Sequence, residues 1–293
     1  MQPEYQGQNW AVYLADTVEV MHAMPEGTID CAIFSPPFSD LFVYSDSERD
    51  MGNCGSHDEF MRHYRYFAEG LFKAMKPGRI VCVHCTDLPS RKGRDGFIGL
   101  HDFSGDLIHA HQAAGFVYHA RCTIWKDPVV EMQRTKALGL LYKQLKKDSA
   151  MSRVGMPDYM LFFRKDEPNP QPITHEPADL PVEMWQELAS PVWMTVRQGH
   201  VLNGRQARGQ EDERHICPLQ LDVIERCLTL YSNPGDLVLD PFNGIGSTGY
   251  QAIKMGRRYL GVELKPEYAA QAARFLSEAE ASQDTLFSTV AAE

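Results

Sequence analysis

The chain has 293 residues, 43% hydrophobic and 23% charged, a balance that supports a globular core and excludes a disordered or fibrous polymer. No apolar run reaches the roughly 18 residues of a membrane-spanning helix, the N-terminal stretch lacks a secretory pattern, and seven irregularly spaced cysteines argue against a disulfide framework, so a cytoplasmic protein with no membrane partner is expected. Net charge is −10, yet residues 121–165 hold ten Lys/Arg against four acids, a local excess that suits a polyanion and equally suits a solvated helix face.

The first clear unit is the apolar run Ile29–Phe34, which ends at Ser35-Pro36-Pro37-Phe38. Two prolines stop a strand and prevent an immediate helix, so a buried strand running into a rigid loop is predicted. The polar stretch Tyr44–Asn53 then reads as a flap or an ordinary surface loop. Residues 57–75 have helical periodicity (Phe60, Met61, Tyr64, Phe67, Leu71) closed by Pro77-Gly78, and Arg79–His84 reads as a second buried strand. Cys82-x-His84-Cys85 lies on that strand without a second Cys/His pair at zinc-finger spacing, so it reads as core and no metal is expected. A helix near 103–114 and a strand near 117–125 continue the alternation, which implies a mostly parallel sheet covered by helices.

Residues 126–153 read as a basic helical insertion with Leu138, Leu141 and Leu145 inward and Lys136, Lys143 and Lys147 in a cationic stripe. Lys136, Lys143, Lys146, Lys147 and Arg153 are the candidate phosphate contacts. A strand is predicted over Asp158–Phe163, followed by a proline-rich, loop-like stretch to about Gln210 that carries Trp185, Trp193, Arg197, Asn203, Arg205 and Arg208 as candidates for target recognition. The pattern then resumes: a helix near 217–231, the strand Asp236–Asp240, a glycine-rich turn, a helix over 247–255, the strand Arg258–Glu263, and a last helix opened by Pro266. The chain thus divides into residues 1–125, 126–210 and 211–293.

The turn is Asp240-Pro241-Phe242-Asn-Gly244-Ile-Gly246-Ser247-Thr248-Gly249. Glycines there allow positive φ and close approach of a ligand to the main chain, and the start of a helix offers free N–H groups. Glu263, at the end of the next strand, is placed to grip two ribose hydroxyls. A nucleoside-containing cofactor follows; the bare spacing G-x-G-x-x-G also fits a nicotinamide dinucleotide and hence an NAD-dependent oxidoreductase.

Asp240-Pro241-Phe242 ahead of the glycines resembles the D-P-F-x-G-x-G-[ST] signature of S-adenosylmethionine-dependent DNA amino-methyltransferases. His215, Cys217 and Pro218 resemble the family segment flanking the methionine part of the cofactor, with Cys before Pro as a departure; Asp16 resembles an acid near the adenine, with Ala15 where the family has Gly. The resemblance implies that Asp16, His215, Cys217, Pro218, Asp240, Pro241, Phe242, Gly244, Gly246, Ser247, Thr248 and Glu263 bind S-adenosylmethionine. Ser35-Pro36-Pro37-Phe38 resembles the family's catalytic loop, and S-P-P-[YF] leans towards cytosine N4, D/N-P-P-[YFW] towards adenine N6. The order, catalytic loop before cofactor turn, matches the permuted beta-type members.

The resemblance further implies an α/β, Rossmann-like methyltransferase fold with a mostly parallel seven-stranded sheet and helices on both faces. Its first part is catalytic, its middle part contacts DNA and its last part binds cofactor. DNA is the expected partner, in the setting of restriction–modification and with a short or relaxed recognition sequence; the oligomeric state is left open, a homodimer included. In such a loop the Ser35 hydroxyl and the Pro36 carbonyl accept hydrogen bonds from an exocyclic amino group, localising its lone pair on the methyl donor, while Phe38 stacks on a flipped-out base. No Pro-Cys pair exists, which excludes the covalent route to C5 of cytosine. A DNA-binding protein that keeps the fold without catalysis remains an alternative.

Overall fold

A computed structural model describes residues 2–39, 50–90, 92–135, 137–202 and 218–290. Its strands are β1 (Tyr5–Gln6), β2 (Trp10–Leu14), β3 (Ile29–Phe34), β4 (Met75–Cys85), β5 (Leu88–Ser90), β6 (Gly99–His101), β7 (Val117–Ile124), β8 (Asp158–Arg164), β9 (Val192–Trp193), β10 (Leu237–Asp240) and β11 (Arg258–Glu263). The helices are α1 (Thr17–Ala23), α2 (His57–Ala74), α3 (Lys92–Asp95), α4 (Phe103–Ala113), α5 (Pro128–Thr135), α6 (Tyr142–Lys147), α7 (Val182–Leu188), α8 (Leu221–Tyr231), α9 (Ser247–Lys254) and α10 (Pro266–Val290).

The main sheet runs β1-β2-β11-β10-β3-β4-β8-β7-β9. Strands β2, β11, β10, β3 and β4 are mutually parallel, β8 is antiparallel to both its neighbours, and β1 is antiparallel at one edge. The predicted parallel sheet is present, with a correction: among the described residues it has nine strands rather than seven, because the two-residue strands β1 and β9 extend its edges. The hairpin β5–β6 forms a separate small sheet.

Period-two alternation distributes β3 between two cores. Cys31 and Ile33 pack with Val223, Ile224, Ala252, Ile253, Ala269 and Leu276 from α8, α9 and α10. Ala32 and Phe34 pack with Met21, Phe60, Phe67, Leu71 and Leu107 from α1, α2 and α4 on the other face. Both faces of the central strands are therefore apolar, as a helix-covered parallel sheet requires. At the amino ends of these strands the buried Arg79 guanidinium joins Asp30 at 3.2 Å and Asp236 at 2.9 Å, tying β3, β4 and the start of β10 together.

Two expectations for the middle of the chain change. Residues 126–153 are not one helix but α5, α6 and short 3₁₀ turns at Leu138–Leu140 and Ser149–Met151. Leu145 is 51% exposed and α6 buries no residue, so Leu145 does not face inward as expected, whereas Leu141 is half-buried; six residues cannot lay down a continuous stripe. The stretch after Lys165 is also not purely connective. It forms α7 and returns to the sheet as β9 beside β7, where Trp193 is buried against Phe162 rather than offered as a reader of bases.

Candidate active site

Strand direction gathers the predicted residues along one edge. The carboxyl ends of β2, β11, β10, β3, β4 and β7 and the amino end of β8 all lie there. Ligands of open α/β sheets bind beyond such an edge. Ser35 follows β3 and Asp240 ends β10, its parallel neighbour, so the two loops adjoin although some 200 residues separate them. Thr248 fastens them further: its one hydroxyl proton is shared between the Ile33 carbonyl, 3.3 Å away, and the Asp240 carboxyl. Phe242 lies 5.6 Å from Phe34 and 5.1 Å from Phe67, closing the floor between the loops.

The glycine turn is held from below and open above. Gly244 and Gly246 adopt φ of 52° and 86°, left-handed values that disfavour side chains. A Cβ on Gly246 would sit 3.0 Å from Ala272 Cβ, whereas one on Gly244 would meet nothing within 4 Å. Gly246 therefore serves packing of α9 on α10, and Gly244 borders free space. Asn243, not singled out from the sequence, is buried; Tyr259 donates to its Oδ1 at 2.7 Å and its Nδ2 donates to the Gly244 carbonyl at 2.8 Å.

The acids around the turn are strained electrostatically. Burial pushes Asp240 up to about 7, although the Thr248 hydroxyl and the Phe242 N–H stabilise its anion. Burial likewise raises Glu263 to about 7, against backbone N–H groups from Lys265, Gly244 and Leu264 that donate to it at 2.8, 2.7 and 3.0 Å. Asp16 caps α1 by accepting from Val18 N at 2.7 Å, and the neighbouring Ala15 N–H donates to the Glu263 carbonyl at 3.0 Å. Ser247 and Thr248 are buried in the first turn of α9, and Ser247 Oγ has no hydrogen-bond partner among the described residues. Pro218 stands just before α8; His215 and Cys217 lie outside the described residues.

The second loop carries a polar chain that sequence reading missed. Half-buried Ser35 lies with its Oγ 3.0 Å from His84 Nδ1. His84 Nε2 faces Asp158 Oδ2 at 3.2 Å, and Lys126 Nζ closes on the other oxygen, Asp158 Oδ1. Burial alone would raise Asp158, but His84 and Lys126 outweigh it and hold the carboxyl at about 2. The Cys82-x-His84-Cys85 stretch is buried throughout: both cysteines are fully enclosed, and His84, also buried, lies between Ser35 and Asp158. Pro36 is buried, Pro37 and Phe38 partly so, and the Phe38 ring lies 6.2 Å from that of His84.

The candidate phosphate contacts divide. Lys143, Lys146 and Lys147 are exposed on α6, in the insertion that leaves and re-enters the sheet at the site's own edge. Arg153, by contrast, faces inward: it donates to Glu131 Oε1 at 3.4 Å and to the Val154 carbonyl at 2.9 Å. Arg197, a candidate reader of bases, binds Asp222 at 2.6 Å, and Trp185 is 52% exposed. Lys136, Asn203, Arg205, Arg208 and Tyr44–Arg49 of the expected flap lie outside the described residues.

Comparison with known proteins bears on this arrangement. A family model described as DNA methylase, of the N6/N4 methyltransferase type, matches residues 29–274. Type II methyltransferase M1.MboII of Moraxella bovis is 39% identical over 95 residues, 32% of this chain and 35% of that protein. DNA adenine methyltransferase YhdJ of Escherichia coli K12 is 30% identical over 125 residues, 43% of this chain and 36% of that protein. The chain thus spans about a third of the length of these relatives, whereas Type II methyltransferase M.PvuII of Proteus hauseri is matched at 24% identity over 94% of this chain and 86% of its own. Among solved structures, a Thermus thermophilus protein assigned as a DNA modification methylase, complexed with S-adenosyl-L-methionine, superposes with a TM-score of 0.68 at 22% identity, covering 92% of this chain and 93% of its own. The cytosine-N4-specific PvuII DNA methyltransferase gives 0.66 at 20%, covering 94% and 88%. At these identities the structural likeness establishes the fold.

Proposed function

The chain belongs to the N6/N4 DNA methylase family, whose cofactor is S-adenosylmethionine, and from that premise we propose that it methylates an exocyclic amino group in DNA, with cytosine N4 as the target. The carrying observation is the Ser35 hydroxyl on His84 at 3.0 Å, in a loop that adjoins the glycine turn. Serine at the head of the Pro-Pro loop favours cytosine, since resemblance associates S-P-P-F with N4; the named relatives include both an adenine enzyme and a cytosine-N4 enzyme. In this reading residues 1–125 supply the base pocket, 126–210 the DNA contacts and 211–293 the cofactor side.

Three features of the turn fit the cofactor: open space above Gly244, an unpartnered buried Ser247 hydroxyl and the Glu263 carboxylate. Glu263 and Asp16 would hold the nucleoside, and Gly244 with the start of α9 would lie along the chain towards the sulfonium. Bound there, S-adenosylmethionine supplies an electrophilic methyl carbon. A nicotinamide dinucleotide would use the same glycines but leaves the Ser35 loop without a role.

The rest follows from the chain's own groups. With the His84 proton on Nε2 towards Asp158, Nδ1 accepts the Ser35 hydroxyl proton, and the Ser35 oxygen keeps its lone pairs for the amino N–H of the base. The Pro36 carbonyl is the second acceptor, held rigid by its ring. As the amino nitrogen acquires positive charge, these oxygens and the buried Asp158 anion stabilise it. One amino proton then passes to Ser35 Oγ while the Ser35 proton moves to His84 Nδ1, giving an imidazolium beside Asp158 that later releases its proton to solvent. Ser35→Ala is expected to leave cofactor affinity within a few-fold and to lower methyl transfer by about 10²-fold; unchanged turnover would reject the role of Ser35.

A further inference from the structure

Outside the methyl-transfer groups, three side chains from three elements meet at one point. His57 opens α2, His101 ends β6 and Asp106 lies in the first turn of α4. His57 Nε2 and His101 Nε2 are each 3.0 Å from Asp106 Oδ2, and 3.0 Å from each other. The three atoms therefore form a near-equilateral triangle.

Protons alone do not satisfy that triangle. The carboxylate carries none, and each Nε2 carries at most one. If both nitrogens are protonated and donate to Asp106, two donors confront each other across the third edge. If only one is protonated, a nitrogen lone pair confronts a carboxylate oxygen. A single cation seated above the centre, about 2.0–2.1 Å from each atom, satisfies all three at once. Two imidazoles and a carboxylate are a donor set for a borderline divalent transition metal. Side-chain exposures of 25% for His57, 44% for His101 and 35% for Asp106 leave room for water at the remaining positions.

We propose that His57, His101 and Asp106 form a binding site for one divalent transition-metal ion of the zinc type. A second observation connects the site to the base loop. His57 Nδ1 lies 3.0 Å from Ser39 Oγ. Metal on Nε2 fixes the proton on Nδ1, which then donates to Ser39. Ser39 is fully buried, has a left-handed φ of 54° and directly follows Phe38. Phe103, three residues before Asp106, packs 6.1 Å from Phe38 and 6.2 Å from His57. Occupancy thus locks the exit of the Ser35-Pro36-Pro37-Phe38 loop, whatever reaction that loop performs.

The test uses the full chain, stripped with a chelator and titrated with Zn²⁺ by calorimetry and with Co²⁺ by visible absorption. One saturable Zn²⁺ per chain, a raised thermal midpoint and Co²⁺ ligand-field bands are expected. His101→Ala and Asp106→Asn should each weaken Zn²⁺ binding by about 100-fold or more, while His63→Ala, on the exposed side of α2, should leave it unchanged. Should His101→Ala fail to fold, the isosteric Asp106→Asn reads the same loss, with S-adenosylmethionine binding as the check on its fold. Absence of saturable binding, or full binding retained in Asp106→Asn, would overturn the proposal.

Discussion

The carboxyl ends of β3, β10 and β11 and the basic insertion between β7 and β8 are equally conspicuous in the sequence, yet they behave differently in the fold. At the strand ends the residues act through the backbone: Pro36 and Pro37 end a strand, and Gly244 and Gly246 take left-handed φ. Sheet order then sets the two loops side by side. In the insertion the residues act through charge, and much of that charge is used internally. Lys126 meets Asp158 and Arg153 meets Glu131; just past the insertion, Arg164 meets Asp166 at 2.8 Å and Lys165 is buried with its ammonium on the Met75 carbonyl at 3.0 Å. Conformational residues declare their role locally; a charge has no fixed role until its partner is known.

The sharpest test of that contrast is Asp158→Asn. It strands Lys126 and His84 beside a neutral amide, and the loss of one partner from so buried a pair should cost about 3 kcal/mol in urea unfolding. Because folding depresses the Asp158 pKa, its contribution is full above about pH 4 and is lost as pH falls through about 2. An unchanged midpoint would show Lys126 to be a surface charge after all.

Next comes DNA affinity. Replacing Lys143, Lys146 and Lys147 together by Gln should weaken duplex binding roughly 30-fold at physiological salt and reduce the salt slope by about 2 to 3, while Arg153→Gln leaves the slope as it was. An equal effect of Arg153→Gln on the slope would erase the division drawn between exposed and inward cations.

The smallest expected effect lies at the cofactor side. In the proposed role Glu263 accepts from two ribose hydroxyls best as a carboxylate, and burial raises it to about 7. S-adenosylmethionine affinity should therefore rise about tenfold between about pH 6 and about pH 8 and be weaker and flatter in Glu263→Gln. Asp240, also raised to about 7, titrates in the same range, so Asp240→Asn separates the two contributions. Both pKa values lie above the unfolded ones, so the cofactor-free protein should lose stability as pH rises from about 4 towards about 7. A pH-independent affinity would remove Glu263 from the site.

Legibility follows the same division. The run Ile29–Phe34, the strand Arg258–Glu263 and the helix opened by Pro266 are where the periodicity and the prolines put them. The hairpin β5–β6 escapes sequence reading, since its three-residue strands sit among Pro89, Gly96 and Gly99 and carry no alternation. His84 and Asp158 do not announce their pairing either: 74 positions apart, they meet only because β8 runs antiparallel to β4. Trp193 reads in sequence as a surface contact because nothing local reveals that β9 joins the sheet.

Nucleoside analysis by mass spectrometry, on duplex DNA incubated with the full chain and S-adenosylmethionine, addresses the central claim most directly. N4-methylcytosine is expected, cut to about one hundredth in Ser35→Ala. N6-methyladenine would contradict the assignment of the base, and no methylated nucleoside on any DNA would contradict the site itself.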